Sequence, residues 1–307
     1  MNPFITIVGV ITTFLAFLIQ VRANEQQRKD FITSINKSYV DEKIDSYNKL
    51  ELLHLDIKTI LSSWDMMEKS MSEFCTEIEA DPYKMSRLKR TQDNVYKRLS
   101  QIDRNLIYNG YKLFVKLDND NWKASFDKLS SISEYLPDAL TGIYTIADSH
   151  SKEVYEEKKK IFEGVNNLDN TCVEIINRSQ NKILGEYVRG FLNAYRNEQS
   201  ISGGEANFKR LLELIEYLHN GLFKMFEENA VSLAEINPIM PIASNLLIRF
   251  NCIVQISNQT VPEIRAVIEH LMSNEDSTRN ELFALSEEIR KVVESTSVDE
   301  IKKYIQQ

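Results

Sequence analysis

Glycine and proline are scarce in this chain, at nine and six of 307 residues. Their scarcity argues against glycine-rich phosphate loops and sheets with many tight turns, and favours long helices. Cysteine is scarcer still. Cys75, Cys172 and Cys252 stand far apart, which is neither a disulfide framework nor a zinc knuckle and fits a reducing compartment. There is no basic excess, because the formal net charge is −8. No face is built to wrap a polyanion, so no nucleic-acid partner is expected. The chain also lacks a Walker loop, a nucleophile elbow and a His-Glu-x-x-His pair. It shows no run of alternating β-branched residues between turn signals and no repeat at a fixed period. Disorder is not the default, since 43% of residues are apolar and 27% charged.

One segment stands out against this background. Residues 3–21, PFITIVGVITTFLAFLIQV, carry no charge. At 1.5 Å per residue they span roughly 28 Å, close to the hydrocarbon thickness of a bilayer. Thr6, Thr12 and Thr13 can return their hydroxyls to the backbone at little cost in lipid. A cleavable signal would need a basic start, a shorter apolar core and a small-x-small site, and Val21-Arg22-Ala23-Asn24 is a poor site. A buried core helix would show a polar stripe. The segment therefore predicts a transmembrane anchor over 1–22, with the bilayer as partner through residues 3–21.

Arg22, Arg28, Lys29 and Lys37 follow the segment and no basic side chain precedes it. That bias predicts an N-out, single-pass protein of the cell (inner) membrane with a cytoplasmic body. The sequons at Asn36, Asn177 and Asn258 would matter only in a lumenal body. Thr6, Gly9, Thr13 and Ala16 recur at three and four residues, and such small-residue stripes let transmembrane helices approach closely.

The clearest periodicity follows. Leu50, Leu53, Ile57, Ile60, Trp64, Met67, Met71, Phe74 and Ile78 alternate at three and four residues over four heptads. Ile32, Ile35 and Tyr39 carry a weaker pattern back toward the anchor, so a single helix is predicted to run to Ala80, where Asp81-Pro82 stops it. The mixture of Trp, Met and Phe suits an irregular bundle core better than a regular coiled coil between subunits, yet with no catalytic motif to compete with it the seam from Leu50 to Ile78 is also the chain's best-supported interaction surface. Further helices are predicted over 83–117, over 122–135 up to Pro137, and from 138 to about 198 with a break near Asn166-Asn167. Ser202-Gly203-Gly204 marks a boundary. Beyond it, Phe208 to Leu222 mark another helix, and three more are predicted over 242–258, 262–273 and 277–305. The expected organisation is an anchor at 1–22, a long-helix bundle with the heptad seam at 23–200, and a C-terminal helical subdomain at 205–307.

Chemistry is thin. Glu216-Tyr-Leu-His219 places a carboxylate and an imidazole on one helical face, but a di-iron bundle needs two such motifs and two further carboxylates. No metal or cofactor is expected. Arg265-Ala-Val-Ile-Glu-His270 resembles the Arg-x4-6-His signature of HEPN ribonucleases over six residues, without the polar residue that commonly follows the arginine. That resemblance implies an all-helical enzyme in which Arg265 and His270 from two protomers attack RNA together. His54, beside the seam, and His150, near a helix face, read as structural.

The sequence thus predicts an all-α, non-enzymatic protein with one transmembrane helix and an elongated helical body. Its expected function is a scaffold, sensor or effector subunit at the cytosolic face, with protein partners that include a second copy of itself. The layout alone is similar to that of bacterial membrane-anchored phage-defence proteins. The alternatives are a membrane-permeabilising effector that oligomerises through its N-terminal helix, and a HEPN-like ribonuclease.

Overall fold

The computed structural model describes residues 3–90, 94–117, 119–201 and 207–296, with the side chains of α1 described from Ala16 onward except residue 18. Every regular element among them is a helix. The α-helices are α1 (Pro3–Ala80), α2 (Asn94–Ser100), α3 (Arg104–Leu113), α4 (Trp122–Arg178), α5 (Lys182–Ile201), α6 (Phe208–Glu227), α7 (Leu233–Ile236), α8 (Met240–Ile268) and α9 (Thr278–Ser295). A 3-10 turn, Val115–Leu117, follows α3, and a π turn, Glu269–Ser273, closes α8. The 78-residue α1 stops where Pro82 has no N–H to offer. There Asp81 makes a local turn, accepting the Tyr83 amide on Oδ1 at 3.1 Å and the Lys84 amide on its carbonyl at 2.9 Å.

The chain forms two compact units. The first comprises residues 1–62, 93–137 and 278–307. Its core gathers Leu50, Leu53, Ile57 and Ile60 of α1 with Ile107 and Tyr111 of α3, Ile132 and Leu136 of α4, and Leu282, Leu285 and Ile289 of α9. Each buried aliphatic side chain contributes about 1.5–3 kcal/mol. Gly110 allows α3 to close on α1, since a Cβ there would lie 2.7 Å from Leu50 Cγ. Arg98 pairs with the buried Asp56 at 2.7 Å, and the Tyr47 hydroxyl donates to the Val293 carbonyl at 3.1 Å. Burial pushes the Asp56 carboxyl above its usual range, against the smaller opposing pull of Arg98.

The second unit comprises residues 63–92 and 138–277. The rest of the seam, Trp64 to Ile78, is buried in it. A large apolar cluster joins Val154, Ile161 and Leu168 of α4, Val188 and Phe191 of α5, Ile215 and Leu218 of α6, and Leu246 and Phe250 of α8. Gly164 of α4 sits against Leu246 of α8, whose Cδ2 would lie 2.7 Å from an added Cβ and would have to shift to admit it. Beside it Glu157 accepts from Arg249 at 3.3 Å and from Lys160 at 2.6 Å.

Several predicted helix limits differ from those found. The single helix expected over 83–117 does not form over 83–90, which are turn and irregular chain, and its remainder is divided, because the Asp103 side chain accepts the amides of Asn105 and Leu106 at 3.0 and 3.2 Å and starts α3 afresh. The stops expected at Pro137 and near Asn166-Asn167, and the break between 258 and 262, do not occur. An interior proline costs a helix about 3 kcal/mol. Buried neighbours offset that cost at both sites, Leu136 and Ile132 before Pro137 and Val261 and Ile264 around Pro262. The Ser202-Gly203-Gly204 boundary and residues 297–305 of the last predicted helix lie outside the described residues.

Candidate interaction surface

All nine seam residues, Leu50, Leu53, Ile57, Ile60, Trp64, Met67, Met71, Phe74 and Ile78, are no more than 2% exposed. The seam is core of this chain, while Leu52, Leu55 and Met66 on the other side of the same helix are exposed. The four stripe residues of the anchor divide differently: Ala16 is exposed, and the side chains of Thr6, Gly9 and Thr13 lie outside the described residues. Among the residues whose side chains are described, which within 3–21 are only Ala16, Phe17, Ile19, Gln20 and Val21, no helix is long and apolar enough to cross a membrane.

The open surface lies on α1 just before the seam. Every described side chain from Ala16 to Tyr39 is exposed, and the first buried one among the described side chains of α1 is Val40. The large apolar side chains in this stretch are Phe17, Ile19, Val21, Phe31, Ile32, Ile35 and Tyr39, with Ile32, Ile35 and Tyr39 about half exposed at 48, 51 and 52%. Within the helix Gln26 donates to Asp30 at 2.9 Å, the Thr33 hydroxyl donates to the Lys29 carbonyl at 2.9 Å, and Lys43 caps the Tyr39 ring at 4.6 Å. In the sequence, Ile32, Ile35 and Tyr39 form a weak extension of the seam. Periodicity reports a face and not what covers it, so the change from open to buried at Val40 left no mark in the pattern.

The histidines do structural work. His54 Nδ1 meets the Ser286 hydroxyl at 3.1 Å in the first unit. In the second, His219 Nε2 meets the Ser244 hydroxyl at 3.1 Å and Nδ1 meets Asn220 Oδ1 at 3.3 Å. The last trio has the outline of a nucleophile, a base and an orienting group. Ser244 lies inside α8, however, where the amides that would have to receive an oxyanion bond carbonyls one turn back. No group of three or more metal-ligating side chains occurs among the described residues. Arg265 of α8 donates to Glu79 of α1 at 2.6 Å, and His270 lies exposed on the π turn that follows. Burial pushes the Cys172 thiol up to about 12 and raises that of Cys75, so neither is a ready nucleophile. Two open clefts, of about 370 Å³ around Thr171, Arg178 and Glu235 and about 430 Å³ around Asn119, Lys128 and Glu288, have their acids already engaged. The Ser232 amide and hydroxyl hold Glu235 at 2.7 and 2.8 Å, and Asn119 donates to Glu288.

No protein-family model, curated protein or solved structure matches the chain.

His150 gives the second unit a pH dependence. It is 2% exposed, its ring edge meets Phe74, and Nε2 lies 3.3 Å from Ser257 Oγ. That serine donates to the Ile253 carbonyl at 3.0 Å, so the network assigns the proton to Nε2. Nδ1 is then left without a partner. Burial lowers the imidazole pKa below its ordinary 6.5, against a smaller raising effect of Glu153. The unfolded chain therefore takes up the proton first, and stability is fully present above about pH 6.5 and lost as pH falls below it. Thermal melts of the wild type and of His150→Leu across the acid range should show a shallower pH slope in the variant. Identical slopes would mean that His150 is charged in the fold.

Proposed function

We propose that the chain is a membrane-anchored helical interaction subunit, a scaffold, sensor or effector, whose body works at the cytosolic face of the cell membrane. The observation that carries this reading is one of continuity. The uncharged segment 3–21 belongs to the same unbroken helix as the exposed stretch that ends at Tyr39. Nineteen uncharged residues are long enough to cross hydrocarbon, and the basic residues Arg22, Arg28, Lys29 and Lys37 then hold the exposed stretch on the cytosolic side. Binding is favoured over catalysis because His54, His150 and His219 join helices to one another, each through a serine hydroxyl. The anchor-plus-helices layout also suits a defence subunit that reports or acts at the membrane.

Protease protection in oriented vesicles tests the reading. The body should be digested in inverted vesicles and protected in right-side-out ones. Digestion from the outer face would reverse the topology. RNA cleavage by the purified chain that is lost in His270→Ala would replace binding with catalysis.

A further inference from the structure

We draw no further inference here: the strongest candidate, the exposed apolar face of α1 that runs from Phe17 to Tyr39 and ends at the buried Val40, carries none because nothing in the structure shows what covers it.

Discussion

Replacing Ile60 with Asp is expected to unfold the first unit. Ile60 is 1% exposed and lies in the core with Leu53 and Ile57 of the same helix. The substitution removes about 1.5–3 kcal/mol of apolar burial and leaves a carboxylate or its proton without a partner, a further cost of roughly 2–7 kcal/mol. Domains are stable by only about 5–15 kcal/mol, so the cooperative melt should vanish or move down by roughly 10 °C or more, at about 4 °C per kcal/mol for a unit between the small and the larger domain classes. Leu55→Asp is the control. Leu55 is 51% exposed on the opposite side of α1, and its variant should melt within a few degrees of the wild type. Equal melting of the wild type and Ile60→Asp would mean that the seam is not core.

If residues 3–21 are the proposed anchor, two arginines within them should release the chain from the membrane. Each arginine near the centre of a spanning helix costs about 2.5–3.5 kcal/mol of insertion free energy, whereas an apolar residue contributes only about 0.3–0.6 kcal/mol. Gly9→Arg combined with Thr13→Arg therefore costs about 5–7 kcal/mol, comparable to the whole contribution of the apolar residues in the segment. The double variant should appear in the soluble fraction with its helical content retained, because the cores of both units begin well after residue 21. A double variant that stays with the membrane as fully as the wild type would place its attachment elsewhere.

What could be read from the sequence was what helix periodicity encodes. The run from Leu50 to Ile78 marks a face through its spacing of three and four, and Asp81-Pro82 marks an end through the missing amide, so α1 and its buried side were legible. Pro137 and Pro262 were not, because a local rule cannot register the buried neighbours that hold a helix together across a proline. Asp103 was missed for a related reason: a single aspartate inside an apolar pattern becomes a cap only when its side chain turns back onto the next amides. The division of the chain at Ser62, inside α1, and at Pro137, inside α4, was also invisible, since both helices pass through the boundary without a break. Of the surface, the sequence contained Ile32, Ile35 and Tyr39 as a continuation of the seam. That this part is open and the rest closed depends on which helices return to cover it, and those are distant in the chain, as Arg98 is from Asp56 at a separation of 42 residues.

The central claim is that residues 3–21 hold this chain in a bilayer, and alkaline carbonate extraction of native membranes tests it most directly. High pH strips proteins held by charge and leaves those held by hydrocarbon. The full-length chain should remain in the pellet with its N-terminus intact, while a chain starting at Asn24 should be recovered in the supernatant as a folded helical protein. Release of the full-length chain by carbonate, or a trimmed N-terminus on the protein that stays, would contradict the account.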